Sequence, residues 1–143
     1  MSRVKIDLPK AFPFSTEIPI RISDINLGGH LGHDAILPLV HEARISFLAS
    51  MNYTEGDIEG CTYIMAAAII VYKSQAFHGQ TLQIEIGVRD FSRNGCDFIY
   101  RLSNNNTGVE VARVNTSMVF YDYQAGKVTR VPEGFMARFE KDQ

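Results

Sequence analysis

Apolar and polar positions alternate over residues 14–22. Ile18, Ile20 and Ile22 take one parity; Glu17, Pro19 and Arg21 take the other, which predicts a half-buried strand. Pro19 cannot donate to a ladder, so the strand belongs at an edge or carries a bulge. Between residues 34 and 52 the period changes. Ile36, Val40, Ala43 and Phe47 recur on one face at helical spacing, flanked by Leu39 and Ser50, with Leu37 and Leu48 as a second apolar edge. His41, Arg44 and Ile45 fall on the far side of that helix. Pro38 fits only its first turn, where no helix hydrogen bond is lost.

Beyond Cys61 the pattern is extended. Residues 63–72 are almost continuously apolar, as in a strand covered at least in part on both faces. Residues 81–89 alternate cleanly, with Leu82, Ile84, Ile86 and Val88 on one side. Ser92-Arg93-Asn94-Gly95 reads as a hairpin turn of the Asn-Gly type, residues 97–103 as the next strand and residues 104–108 (NNNTG) as a second turn. A long last strand over 109–123 follows, then a short strand and a polar tail over 127–143. The pattern predicts one helix after the first strand and four strands in antiparallel meander order. That is an α+β layer arrangement, a curved sheet against one long helix, in a single domain over residues 1–143.

The segment joining strand to helix, residues 23–33, carries Gly28, Gly29 and Gly32, so the backbone there turns sharply or approaches another group closely. Most polar residues with catalytic chemistry lie in or beside it: Asp24, Asn26, His30, His33, Asp34, His41 and Glu42. The segment ends at a helix start. Free N–H groups and the positive end of the helix dipole there suit a developing negative oxygen.

Composition narrows the function classes. The chain has 143 residues, 45% apolar and 21% charged, enough for one core without disulfide or metal. A net charge of −2, with no stripe of basic and aromatic residues, argues against nucleic acid and anionic membrane surfaces as partners. The longest apolar run is too short to span a bilayer, and the N-terminal stretch has no apolar core of signal length, which makes the expected location cytoplasmic. Cys61 and Cys96 are isolated and read as reduced, partly buried thiols. His30 and His33 form an HxxH pair without a convergent third ligand, so neither a metal nor another cofactor is expected.

The stretch RISDINLGGHLGHDAILPLVHEARISFL resembles the signature of the 4-hydroxybenzoyl-CoA thioesterase family: a strand, Asp-x-Asp, small residues, Gly-His, and a helix with Glu-Ala-Arg. Asp24, Gly29-His30 and Glu42-Ala43-Arg44 match its positions. VYKSQAFHGQTLQIEIGV and MVFYDYQAGKVTRVPEGF resemble that family's later strands. The resemblance covers nearly the whole chain. It implies the hotdog fold, hydrolysis of an acyl-CoA thioester to free acid and CoA, and a homo-oligomer (dimer or tetramer) with the CoA site between subunits.

The family's catalytic carboxylate is the second acid of Asp-x-Asp, and here that position is Asn26. An amide can orient water or the thioester but is not a useful base. Glu42, at the border of the apolar helix face and expected to be partly desolvated, is the first candidate replacement; Asp24 is the second. His33 can donate to the thioester or accept a proton near neutral pH. The backbone N–H groups of Gly32 and His33 are the candidate oxyanion donors. Lys73, Arg89, Arg93 and Asn94 are candidates for the CoA phosphates, and Tyr63, Met65, Tyr72, Phe77 and Phe98 for an acyl pocket. The alternative reading is a non-catalytic protein that binds acyl-CoA or acyl lipid. A hotdog dehydratase acting on hydroxyacyl thioesters is a third.

Overall fold

The computed structural model describes residues 3–140. Strand β1 spans Phe14–Pro19 and a single 3-10 turn follows at Ile22–Asp24. A second 3-10 turn at His33–Ala35 leads into helix α1, Ile36–Ser50. Strands β2 (Thr62–Tyr72), β3 (Thr81–Arg89), β4 (Gly95–Asn104) and β5 (Glu110–Asp122) come next. A two-residue strand β6 (Lys127–Val128) and a short helix α2 (Glu133–Ala137) end the chain. The strands are antiparallel in the order β1-β3-β4-β5-β2, with β6 paired to β5. The sheet wraps around α1, which is the hotdog arrangement.

The alternating residues do what their period requires. Leu82, Ile84 and Ile86 of β3, Phe98, Tyr100 and Leu102 of β4, and Ala112, Val114 and Phe120 of β5 are fully buried against Ile36, Leu39, Val40, Ala43 and Phe47 of α1. Pro38 sits in the first turn of α1, as its missing N–H demands. At Gly95 a Cβ would collide with the Met118 carbonyl oxygen, so the start of β4 can lie against β5 only because that residue is glycine.

Five expectations need correction. β1 ends at Pro19; Ile22 is in the 3-10 turn and exposed, because the chain leaves the sheet to reach the glycine segment. Only β3, β4 and β5 form a meander. β2 crosses to the far edge and pairs with β5 alone. As an edge strand, β2 leaves Ile64, Met65, Ile69 and Tyr72 at least 40% exposed, so its apolar run is not covered on both faces within one chain. The tail is not polar throughout. Phe135 and Phe139, four residues apart, are buried in a cluster of rings with Phe47, Phe91, Phe98 and Phe120 that closes the C-terminal end of the α1 layer. Residues 141–143 of that tail lie outside the described residues. Finally, Arg44 is on the inner side of α1, 4% exposed, not on the far side.

Candidate active site

Asp24 organises the turn rather than facing outward. It is buried; one carboxylate oxygen accepts the Arg21 backbone N–H at 2.9 Å, and the other accepts Arg21 Nη2 at 3.2 Å. Its own carbonyl accepts the N–H of Gly32 at 2.9 Å. That bond corrects the sequence expectation for Gly32: its amide is already used within the turn and is not open to an oxyanion. The N–H of His33 is different. It opens the 3-10 turn, where no residue of the turn can serve it, and it has no acceptor among the described residues.

Asn26 faces the same region. Its side-chain oxygen accepts the backbone N–H of Gly28 at 3.0 Å and of His30 at 3.4 Å, while its backbone N–H donates to the His30 carbonyl at 3.0 Å. The amide Nδ2 has no acceptor among the described residues and remains free to donate. Leu31 N–H donates to Ala76 O at 2.7 Å, which ties the turn to the segment after β2. Tyr72, the last residue of β2, donates its hydroxyl to the His33 carbonyl at 3.3 Å. These links create a cleft of about 330 Å3 whose walls include Asn26, His30, Leu31, His33, Tyr72 and Lys73. No aspartate or glutamate lines it.

The structure thus brings together Asn26, His33, Tyr72 and Lys73, with Asp24 and Gly32 in the adjoining turn, and leaves the other candidates elsewhere. Glu42 is exposed on α1, nine residues after His33, so about 13 Å along the axis at 1.5 Å per residue. The partly desolvated setting expected for it does not occur within one chain. Arg89, Arg93 and Asn94 lie toward the opposite end of the sheet, Arg89 about 17 Å and Asn94 about 26 Å along the strands from Tyr72 at roughly 3.3 Å per residue. Arg89 pairs with Asp90 at 3.6 Å, and Asn94 Nδ2 donates to the Thr129 carbonyl at 3.0 Å. Of the acyl-pocket candidates, Tyr63 and Phe98 are core residues, while Met65, Tyr72 and Phe77 are exposed. Burial pushes both thiols up, most strongly Cys96, which keeps them protonated at neutral pH. Among the described residues no three His, Cys, Asp or Glu side chains cluster.

One polar network was not expected. Arg44 donates from Nε to the Tyr63 hydroxyl at 2.9 Å and from Nη1 to the Tyr100 hydroxyl at 3.0 Å. Tyr100 bonds Thr116 Oγ1 at 2.9 Å. Glu55 receives the Tyr63 hydroxyl, Arg44 Nε at 3.4 Å and His41 Nε2 at 2.7 Å. Burial pushes the phenols of Tyr63 and Tyr100 up, so both stay neutral. The network pins α1 to β2, β4 and β5, and thereby fixes the helix whose start carries the cleft. A sequence signal existed: tyrosines at inward strand positions, each needing a partner for its hydroxyl.

A family model described as the thioesterase-like superfamily matches residues 20–139. Solved structures with the same fold include a 1,4-dihydroxy-2-naphthoyl-CoA thioesterase from Synechocystis (20% identity, 87% of this chain and 93% of that chain, TM-score 0.79). A DHNA-CoA thioesterase from Staphylococcus aureus is similar at 20% identity, over 88% of this chain and 85% of that chain, with a TM-score of 0.76. A thioesterase from Thermus thermophilus, complexed with coenzyme A and Zn, is similar at 16% identity, over 91% of this chain and 99% of that chain, with a TM-score of 0.76. A search of curated proteins returns no match. With the matched model spanning the glycine turn, helix α1 and strands β2 to β5, the chain belongs to the thioesterase-like superfamily.

Proposed function

We propose that the protein hydrolyses acyl-CoA thioesters to the free acid and CoA. The observation that carries this reading is the unpaired His33 N–H at the start of α1, beside the free Asn26 amide in one cleft. In this mechanism Asn26 Nδ2 orients the thioester or the attacking water. The His33 imidazole takes the proton of the water as its oxygen adds to the carbonyl carbon. The carbonyl oxygen, now negative, is held by the His33 N–H. Collapse of the tetrahedral species breaks the carbon–sulfur bond, and the proton on His33 goes to the departing CoA sulfur. Lys73 contacts the CoA phosphates. Asp24, with its oxygens held by Arg21, supports the turn instead of reacting.

The reading includes a dimer. β2 is an edge strand with apolar side chains exposed, an arrangement that natural sheets cover. Antiparallel pairing of β2 with the same strand of a second copy sets the Thr62 end of one against the Tyr72 end of the other. A second cleft of about 330 Å3, lined by Gly60, Thr62, Tyr121 and Tyr123, then adjoins the first. Only through such a second copy can Glu42, Arg89 or Asn94 reach the cleft at Asn26.

Purified protein incubated with acetyl- through palmitoyl- and aromatic acyl-CoA, with a thiol-detecting dye, tests the activity. Release of CoA thiol from at least one substrate is expected; no turnover on any of them would refute it. The absence of a carboxylate from the cleft favours a second reading, a binding protein without turnover. Acyl-CoA would then raise the melting temperature while no thiol appears.

A further inference from the structure

The cleft wall holds no carboxylate, yet one stands beside it, and Gly32 fixes where. The Gly32 backbone is extended, at φ −72° and ψ 146°, a conformation open to any residue, so its dihedrals do not call for glycine. The surrounding space does call for it. A Cβ on Gly32 would lie 2.5 Å from Oδ1 of Asp34, closer than non-bonded atoms approach. The same Cβ would be 3.6 Å from Asn26 Cβ and 3.6 Å from the Asp24 carbonyl oxygen, which are ordinary contacts. The room left by the missing side chain is therefore taken by the Asp34 carboxylate. That carboxylate and the side chain of Asn26, the residue at the position of the family's acid, share one side of the Gly32 backbone.

The usual duty of an aspartate at a helix start is to cap it. Asp34 does not: its carboxylate has no hydrogen bond or ion pair with any of the described residues. It is exposed and unspent, one residue from the free N–H of His33 and across Gly32 from the free Nδ2 of Asn26. We propose that Asp34, set beside Asn26 by the absence of a side chain at Gly32, is a further catalytic residue that holds the attacking water. This role rests on the hydrolysis proposed above. The water accepts a hydrogen bond from Asn26 Nδ2 and donates one O–H to Asp34 Oδ1, which turns its remaining lone pair to the carbonyl carbon. The proton of its other O–H passes to the His33 imidazole as the carbon–oxygen bond forms. The O–H on Asp34 stays on that oxygen and leaves with the acid. The carbon–sulfur bond breaks, and the proton on His33 goes to the CoA sulfur. Asp34 thus supplies, from another point of the chain, the negative group that Asn26 lacks.

Thiol release from the acyl-CoA that the wild type turns over fastest tests the role in three full-length variants. Asp34→Ala should lower kcat about tenfold or more and leave KM within about twofold, because Asp34 holds the water and not the CoA. Gly32→Ala keeps the carboxylate but drives it off the Gly32 backbone, and kcat should fall by a similar factor. The double variant should be no slower than Asp34→Ala alone, since both changes take one group from one place. Melting temperatures close to that of the wild type are expected in all three, because the carboxylate has no partner to lose and alanine fits the extended backbone. Unchanged kcat in Asp34→Ala would overturn the role of Asp34 while hydrolysis stands. A rise in KM at constant kcat would overturn it as well, and would mark a CoA contact. Additive losses in the double variant would show that Gly32 acts through something other than Asp34, and would also overturn it. A wild type without turnover on any acyl-CoA removes the reaction itself, and the role with it.

Discussion

The Gly28 backbone N–H donates to the side-chain oxygen of Asn26 at 3.0 Å, and that bond fixes which end of the amide is left free. The oxygen is spent on the turn, and Nδ2 is the end available to a ligand. The turn requires an acceptor at this position, which an aspartate would also supply; only the free Nδ2 donor is particular to asparagine.

Asn26→Asp tests this geometry. An aspartate keeps one oxygen on the Gly28 and His30 amides and places the second where Nδ2 stood. The turn should survive, with a melting temperature within a few degrees of the original. Acyl-CoA hydrolysis should rise about tenfold or more, because a positioned base typically contributes two to four orders of magnitude. Asn26→Ala removes the acceptor and should cost about 1 kcal/mol. Thermal melts and the thiol-release assay measure both effects; a larger loss of stability in Asn26→Asp than in Asn26→Ala would contradict the assignment.

Arg44 offers a test of the interior. Replacing it with Met leaves Glu55 without its buried cation, and Tyr63 and Tyr100 without a donor. Breaking such a pair from one side costs about 3–5 kcal/mol. A fall in melting temperature of about 10 °C is expected by calorimetry. Arg44→Lys, which keeps the charge but loses the planar fork, should fall between the two.

The fold was legible where the residues of an element share one local pattern. The alternation of 81–89 and the helical spacing of Ile36, Val40, Ala43 and Phe47 each describe a single face, and both elements formed as read. What could not be read depends on long-range pairing. Nothing in residues 62–72 says that β2 pairs with β5 rather than β3, and an edge strand awaiting a partner has the same composition as a buried one. Charge alone puts Arg44 in solvent, but helical spacing places it between Val40 and Leu48 inside the apolar arc, and its partner Tyr100 lies 56 residues away. At the site, Asn26 and His33 are sequence candidates that the fold sets on one cleft. That the Gly32 amide is closed by the Asp24 carbonyl is a backbone matter no residue type encodes.

The exposed edge makes a prediction about assembly. Ile69→Lys places a charge on the apolar edge of β2, a device natural sheets use to keep edges apart. Light scattering after size-exclusion chromatography should show the mass falling to that of one chain. Acyl-CoA turnover should fall with it, if the clefts of two copies work as one. A variant that stays oligomeric with unchanged turnover would place the contact elsewhere.

Acid stability follows from Glu55. Burial alone would raise its pKa. The hydrogen bonds from Tyr63 and His41 and the charge of Arg44 outweigh that effect and hold it below the ordinary carboxylate value. A carboxyl group whose pKa is lower folded than unfolded binds its proton more readily in the unfolded chain. Its stabilisation is therefore complete above the unfolded value, about pH 4.3, and disappears as pH falls through the lower folded value. Glu55→Gln cannot lose a charge in this range. The wild type should be the more stable of the two at pH 7, and the gap should narrow steadily below about pH 4.5 in urea melts read by circular dichroism. A gap that widens on acidification would mean that Glu55 is not held charged by Tyr63, His41 and Arg44.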